Sequence, residues 1–533
     1  MFGVKPPYLP IIYIRGYAMR MEDIIETNST PYMGFNDGAS RVRRGPNRDV
    51  EKYFFESPLV RLMKDYGYTD TYHDGVELPD VLLKRCIVIC RYYDIADWDL
   101  SDDQFFNAGR KPTIENGTAC LADLILKVRK RLDPNEIDEN FGVYLVAHSM
   151  GGLICRKLLQ NPAGYDQETA KSLVRRVFTY ATPHGGIEAL DLPFFGRQPA
   201  YFTRFSRHNI ANTLDFKNKN RDVKTLDGKW ATEDFFCLVG TNYKDYPSGN
   251  GWIRRAVGEG SDGLVLIENA FMPECRHELV HQSHSGSHGI VNSEEGYRHL
   301  VRFLFGEAKI EGLLSINNLP DGGNGGATFD VEVTVTEHDG VAISERTARE
   351  WSELPADSQP GDKVTIANVP ATQVPIFSLF LPERAVKSLL AQSRPLLRFT
   401  VNITVVLRGR KSDGGMRAPE VYREPVYRGE FLVDVSRDDS DKLVTLLMDL
   451  DRNWASNLTE AAIETRQKPN SQGVTANIPL KSAKGFSGTF YLRVTPRNDM
   501  ITPTEPLPTP DVITQGTENE SSNTNAYEAP LRQ

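Results

Sequence analysis

The sequence predicts an α/β domain with a mostly parallel sheet in residues 1–308, followed by an antiparallel β-sandwich in residues 309–500. Short, continuously apolar runs alternate with helical patterns in the first part, which is typical of a parallel sheet covered by helices on both faces. The second part instead alternates apolar and polar residues, as half-buried strands do. Residues 501–533 are polar and rich in Pro and Thr, so we expect a disordered tail there.

Six apolar runs mark the expected strands of the parallel sheet. They are Leu9–Ile14, Cys86–Cys90, Phe141–Ala147, Val174–Ala181, Phe235–Val239 and, as a further candidate, His277–His281. Helices are expected between them. Apolar residues recur at helical spacing from Leu121 to Leu132, and Pro58 follows a potential N-cap at Ser57. Ser293, followed by two glutamates and an apolar stripe, predicts the last helix of this part.

Two long insertions, residues 20–80 and 187–232, interrupt the alternation of strands and helices. The second contains LPFFGRQPAYFTRF. Its aromatic residues form either a lid over an apolar acyl pocket or the core of an inserted subdomain, and the sequence leaves both open.

Four alternating segments indicate the strands of the sandwich. They lie around Val333 (ATFDVEVTVTEH), Val401 (LRFTVNITVVL), Phe431 (VYRGEFLVDV) and Tyr491 (GTFYLRV). The sandwich is expected to stabilise the chain as an accessory domain or to position substrates.

Composition excludes some classes of function. The 533 residues carry a formal net charge of −9, so a nucleic-acid-binding role is not expected. No secretory signal and no apolar run long enough for a spanning helix are evident, although peripheral contact with a membrane stays open. The six cysteines are scattered, as reduced thiols of a cytoplasmic protein would be. The oligomeric state is left undetermined.

The strongest motif is VAHSMGG at residues 146–152. It follows the strand FGVYLVA and precedes a helical pattern. Ser149 is therefore expected on a sharp strand-to-helix turn, where a nucleophile needs small neighbours; Ala147 and Gly151 meet that need. The positive end of the helix would stabilise a developing oxyanion.

With this motif, FTYATPHGG at 178–186, SDGLV at 261–265 and a late histidine segment, residues 9–306 resemble the lipase and esterase branch of the α/β-hydrolase superfamily. That branch includes bacterial lipases and GPI inositol-deacylase-like serine hydrolases. The resemblance implies an α/β-hydrolase fold, a Ser-acid-His triad in that chain order, and action on carboxylic esters in lipid metabolism. It also implies that His184 is structural.

The resemblance implies Asp262 as the acid that orients the histidine, with Asp234 and Asp245 as weaker alternatives. Two candidates remain for the base. His284 lies at an acid-to-base interval similar to that of bacterial lipases with the same DGLV string, whereas His288 lies nearer the last helix, as in many other hydrolases.

The oxyanion hole is expected to use the backbone N–H groups of Met150 and Tyr17, next to Gly16. Arg15 stands where lipases usually carry His, so it would bind a phosphate or carboxylate of the substrate or form an ordinary salt bridge. No metal or organic cofactor is expected.

Three alternatives stay open. An acyltransferase would use the same triad. HELVH at 277–281 matches the H-E-x-x-H pattern of zinc metalloproteases, which requires a helix. A binding protein that has lost activity would keep the fold alone.

Overall fold

The computed structural model of the 533-residue chain describes residues 8–16, 35, 38–44, 50–71, 78, 82–92, 113–187, 205–216, 222–246, 257, 260–286, 288–306, 308–320, 328–338, 340–346, 374–381, 397–411, 420–437, 443–450 and 474–497.

A seven-stranded sheet forms the first part of the chain. Its strands are β1 (Ile11–Ile14), β4 (Thr69–Asp70), β5 (Cys86–Ile89), β6 (Val143–His148), β7 (Val174–Tyr180), β8 (Phe235–Gly240) and β9 (Arg276–Val280), in the order β4-β5-β1-β6-β7-β8-β9. Every neighbouring pair is parallel. A separate antiparallel hairpin, β2 (Ala39–Arg44) with β3 (Val50–Phe55), lies in the first insertion. The predicted parallel sheet is confirmed, and each of the six apolar runs overlaps one of its strands.

Six helices accompany this sheet among the described residues. They are α1 (Pro58–Tyr66), α2 (Ile114–Leu132), α3 (Met150–Gln160), α4 (Gly164–Leu173), α5 (Arg207–Thr213) and α6 (Glu294–Phe305). The caps follow the sequence pattern: the hydroxyl of Ser57 accepts the N–H of Val60 at 3.2 Å, and that of Ser293 accepts the N–H of Gly296 at 2.9 Å. Within the part of the chain that the structure describes, no helix is both long and apolar enough to cross a membrane.

The order of the strands reverses at one point inside the sheet, between β1 and β6. The chain lays down β1, adds β4 and β5 on one side of it, and then continues with β6 on the other side. In open α/β sheets, such a reversal is where ligands bind, beyond the carboxyl ends of the strands. The residues after β1 and β6, Gly16 and Ser149, lie at this point.

Two antiparallel sheets form the second part of the chain. One contains β10 (Ala308–Asn318), β13 (Val374–Phe380), β17 (Val474–Lys481) and β18 (Ser487–Pro496) in the order β13-β10-β18-β17. The other contains β11 (Thr328–Glu337), β12 (Ala342–Arg346), β14 (Leu397–Lys411), β15 (Glu420–Arg437) and β16 (Leu443–Asp449) in the order β12-β11-β14-β15-β16. Apolar side chains of both sheets, such as Phe377, Val401 and Phe490, share one buried core. The predicted antiparallel strands are therefore present.

Parts of the insertion at 187–232 can be placed. Helix α5 contributes Ile210 to the core of the parallel sheet, and Val223 joins the same core. Residues 188–204, which hold most of LPFFGRQPAYFTRF, lie outside the described residues, as does the predicted tail at 501–533. Whether the aromatic segment forms a lid thus stays a prediction.

Candidate active site

Ser149 lies on the turn between β6 and α3 in a strained conformation. Its φ is 53° and its ψ is −124°, which is unusual for a residue with a side chain. Space around it is tight. Ala147 is fully buried, and a Cβ atom on Gly151 would lie 2.3 Å from the carbonyl oxygen of Ile14. The small residues of VAHSMGG therefore have a steric cause at this turn.

Backbone hydrogen bonds hold the strained turn in place. The N–H of Ser149 donates to the carbonyl oxygen of Tyr180 at 2.9 Å, and the Thr182 hydroxyl donates to the carbonyl oxygen of Ser149 at 2.9 Å. Both partners come from β7 and the ATPHGG segment that follows it. The second sequence motif thus lies beside the first and supports it.

The Ser149 hydroxyl, the His284 imidazole and the Asp262 carboxylate form a continuous chain of hydrogen bonds. His284 Nε2 lies 3.1 Å from Ser149 Oγ, and His284 Nδ1 lies 2.8 Å from Asp262 Oδ2. All three residues are at least nine-tenths buried. This arrangement can move a proton from the hydroxyl to the imidazole while the carboxylate fixes the tautomer of the ring.

The backbone of the SDGLV segment orients the Asp262 carboxylate. Its Oδ1 atom accepts the N–H groups of Leu264 at 3.0 Å and Val265 at 2.8 Å, which leaves Oδ2 for the histidine. The Asp262 carbonyl oxygen also accepts the N–H of His284 at 2.9 Å. Gly263 has φ of 100°, and a Cβ atom there would lie 2.3 Å from that of Tyr246. The Asp-Gly pair is thus required by the backbone of this turn.

Two residues that the sequence analysis did not assign contact His284. His148 Nε2 lies 2.9 Å from the His284 carbonyl oxygen, and the Tyr246 ring lies 5.7 Å from the imidazole at an interplanar angle of 81°. Burial, together with the nearby His284 and Arg15, holds the pKa of His148 well below its usual value. His148 is therefore neutral near pH 7 and donates its Nε2–H. Its position directly before the nucleophile was an available signal; Tyr246 offered none.

The residues expected at the oxyanion hole can be placed in part. A Cβ atom on Gly16 would lie 2.5 Å from the Cβ of Ser149, so the backbone after β1 comes very close to the nucleophile. Met150 is the first residue of α3, and its N–H belongs to the first turn, which has no acceptors within the helix. Arg15 is half-buried and close enough to help lower the pKa of His148. Tyr17 lies outside the described residues.

The other candidate bases and acids lie elsewhere. The carbonyl oxygen of His288 accepts the N–H and the hydroxyl of Ser283, both at 2.9 Å, while the ring bonded to Ser149 belongs to His284. Asp234 lies 3.9 Å from the Arg176 guanidinium, and Asp245 accepts the side-chain amide of Asn242. The hydrogen bonds thus join His284, and through it Asp262, to Ser149, whereas His288, Asp234 and Asp245 contact other residues.

The HELVH segment lies on a strand, which differs from the helix that a zinc site of this pattern needs. His277 and Glu278 belong to β9, and His281 follows it. Residues four apart along a strand are separated by roughly 13 Å, too far for two imidazoles to share a metal ion. Among the described residues, no three His, Cys, Asp or Glu side chains are grouped to hold a metal.

His184 in the ATPHGG segment is fully buried. Its Nε2 lies 3.3 Å from the Thr179 hydroxyl, and burial holds its pKa well below the usual value. Its carbonyl oxygen accepts Arg156, which also donates to the carbonyl oxygen of Val223 at 2.7 Å. Arg156 was not singled out in the sequence. It lies on α3, is itself fully buried, and links this segment to the later part of the insertion at 187–232.

No protein-family model matches the chain, and no curated protein matches it. Solved structures give remote likenesses. Bacillus licheniformis lipase BlEst2 in mature form is 16% identical over 54% of this chain and 89% of its own, with a TM-score of 0.30. Phospholipase PlaB from Legionella pneumophila is 12% identical over 78% of this chain and 90% of its own, also at 0.30. An acetylxylan esterase is 12% identical over 37% of this chain and 76% of its own, at 0.17. The chain is thus remotely similar to lipase, phospholipase and esterase structures.

Proposed function

We propose that the chain is a serine hydrolase of the α/β-hydrolase type, with an antiparallel β-sandwich after its catalytic domain, and that it cleaves carboxylic esters. The observation that carries this proposal is the hydrogen-bonded series Ser149–His284–Asp262, with distances of 3.1 and 2.8 Å, beyond the carboxyl ends of a parallel sheet. A Ser, acid, His order along the chain and a nucleophile on a strained strand-to-helix turn support it.

In this mechanism the Ser149 hydroxyl attacks the ester carbonyl while His284 accepts its proton. The carbonyl oxygen becomes an oxyanion, which the Met150 N–H and a backbone N–H after Gly16 stabilise. Collapse of the tetrahedral intermediate expels the alcohol, which takes the proton from His284, and leaves an acyl group on Ser149. Water then attacks the acyl-enzyme with His284 as general base, and the acid is released.

The substrate belongs, in this proposal, to lipid-like or other carboxylic esters. An acceptor alcohol in place of water at the second step would make the same site an acyltransferase. Product analysis with and without an added alcohol separates the two, because only transfer yields a new ester.

The direct test combines a fluorophosphonate probe with a series of nitrophenyl esters of increasing acyl length. Wild-type protein should label on Ser149 and release nitrophenol. Ser149→Ala should not label and should lose roughly 10⁴- to 10⁶-fold in kcat. Ser172→Ala, at an exposed serine of α4, is the matched control and should keep both activities.

Undiminished turnover by a folded Ser149→Ala variant would refute the mechanism. A chelator should leave the wild-type rate unchanged. Loss of activity on chelation, restored by zinc, would instead favour the metalloprotease hypothesis.

A further inference from the structure

The two antiparallel sheets, here called the antiparallel unit (β10 to β18, within residues 308–497), contact the last strand of the parallel sheet and the helix that follows it. Strand β9 is the last strand of the parallel sheet, and β12 and β13 pack against it. Helix α6, which follows β9, packs against the same two strands. The loop between β9 and α6 carries His284. Both elements that flank the proposed base are therefore in contact with the antiparallel unit.

Glu278 is the polar centre of this contact. It lies in the middle of β9 and is fully buried. One carboxyl oxygen, Oε2, lies 2.6 Å from the Ser344 hydroxyl on β12, and the other accepts the backbone N–H of Ser378 on β13. A buried carboxyl group is costly unless its oxygens are hydrogen-bonded, so this side chain defines how β9 lies against β12 and β13.

Helix α6 is fixed in a similar way. Arg298 and Arg302 both donate to Glu337 on β11, the former at 2.5 Å. His299, whose pKa burial lowers to about 4, is neutral and lies with Nε2 2.5 Å from the carbonyl oxygen of Ile343. Phe380 of β13 packs on Phe303 at 5.5 Å between ring centroids. The helix thus has both ionic and apolar contacts with the antiparallel unit.

His284 lies on a loop of thirteen residues, 281–293, which must position the imidazole over Ser149. Its two ends are β9 and α6. If either moved, the imidazole would move with it, and a displacement of about 1 Å near reacting groups can cost roughly 100-fold in rate. Contacts that hold these two elements therefore also hold the geometry of the base.

We infer that the antiparallel unit holds the base-carrying segment 276–305 in position. Glu278 is, in this inference, a positioning residue for His284, although it contacts no substrate. This rests on the proposed function of Ser149, His284 and Asp262. It gives the second part of the chain a role in catalysis beyond added stability.

The test uses the full chain with Glu278→Gln, in which the amide keeps the shape but replaces one acceptor oxygen by an NH₂ group. Either the Ser344 hydroxyl must then turn from donor to acceptor, or the Ser378 N–H loses its partner. We expect kcat for a nitrophenyl ester to fall about 10- to 100-fold while KM stays within about twofold. Glu424→Gln is the matched control, since that exposed glutamate pairs with Lys484 inside the antiparallel unit, and it should keep the wild-type kcat. Ser344→Ala should lower kcat in the same direction, and the double variant should lose less than the product of the two single losses.

A substrate-free measurement separates positioning from general stability. Hydrogen exchange in the folded Glu278→Gln protein should quicken for the amides of residues 281–293 and stay unchanged in β6 and β7. Wild-type kcat per folded molecule in both Glu278→Gln and Ser344→Ala would overturn the inference. Hydrogen exchange that quickens equally throughout the parallel sheet would also overturn it. Failure of the proposed function looks different, because the wild-type protein itself would then neither hydrolyse esters nor label with the fluorophosphonate.

Discussion

The parallel-sheet part and the antiparallel unit bury their polar groups for different purposes. In the first, Ser149, Asp262 and His284 are buried together at the carboxyl edge of the sheet, next to a strained backbone. Among the described residues of the second, six polar or charged ones are buried: Glu311, Ser315, Glu337, Ser344, Ser378 and Thr445. Four of these contact the parallel-sheet part, through Arg276, Arg298, Arg302 and Glu278. In the proposed mechanism the first group of buried polar residues carries the chemistry, whereas most of the second group joins the two parts of the chain.

The largest expected effect on kcat concerns the buried residues of the proposed active site. Asp262→Asn keeps the size of the side chain but no longer holds the Nδ1–H tautomer of His284. In well-studied triads this change lowers kcat by about 10⁴-fold, and we expect a loss of that order here with little change in stability. Steady-state kinetics and urea unfolding measure the two effects.

His288→Ala is the matched control for that experiment. Its ring is not the one bonded to Ser149, so we expect kcat within about twofold of wild type. Equal losses in Asp262→Asn and His288→Ala would show that the base is not fixed as the hydrogen bonds indicate.

The next effect concerns the oxyanion side of the site. A Cβ atom at position 16 would lie 2.5 Å from that of Ser149, so Gly16→Ala must displace the backbone after β1 or the nucleophile itself. Loss of one oxyanion donor typically costs about 10²- to 10³-fold, and we expect kcat to fall by this amount. The measurement is kcat for a short nitrophenyl ester.

A glycine of the antiparallel unit supplies the comparison. Gly340 has φ of 84° and no atom within 4 Å of its added Cβ, so Gly340→Ala meets backbone strain without a clash. It should reduce the free energy of unfolding by about 1 kcal/mol and leave kcat unchanged. A loss of kcat here as large as that of Gly16→Ala would contradict the separation of roles.

Acid should weaken the parallel-sheet part before it weakens the antiparallel unit. Burial lowers the pKa of His299 from 6.5 to about 4 and holds those of His148 and His184 well below 6.5. The unfolded chain therefore binds more protons than the folded chain below pH 6.5. The free energy of unfolding therefore has its full value above pH 6.5 and decreases as the pH falls toward 4. The protonation of His299 in the unfolded chain alone lowers it by on the order of 3 kcal/mol.

Urea titrations between pH 7 and pH 4 check this, with tryptophan fluorescence and hydrogen exchange to distinguish the two parts. His299→Gln should flatten the pH dependence, since a glutamine can still donate to the Ile343 carbonyl but does not titrate. An unchanged slope in this variant would mean that His299 titrates normally in the folded protein.

The sequence predicted local patterns better than contacts between distant segments. Continuous apolar runs predicted the parallel strands because both faces of that sheet are covered, and the VAHSMGG pattern predicted a strained turn because only small residues fit around Ser149. The short strand β4 lacks an apolar run and was missed. The choice between His284 and His288 was left open because it depends on a loop whose ends are set by β9 and α6.

Contacts between residues far apart in the sequence could not be predicted from it. Glu278 attracted attention only as part of the HELVH pattern. Its hydrogen bonds to Ser344 and Ser378 join residues 66 and 100 positions apart, and no local pattern indicates them. Arg156 was not singled out in the sequence, although it is fully buried and bonded to main-chain carbonyls of two segments. Such partners are brought together by tertiary packing, which periodicity and spacing do not encode.

The smallest expected effect compares one methyl group in each core. Ile403 of β14 and Ile14 of β1 are both fully buried, so Ile403→Val and Ile14→Val should each reduce the free energy of unfolding by about 0.5–1.5 kcal/mol. Their effects on kcat should differ. Ile14 ends the strand that leads to Gly16, and its carbonyl borders Gly151, so a shift there reaches the nucleophile turn. Ile403 lies on β14, which pairs with β11 and β15 and not with β12 or β13, and its change should leave kcat unaltered. A matching fall in kcat for Ile403→Val would mean that packing throughout the antiparallel unit, and not only its contact with β9 and α6, sets the geometry of the base.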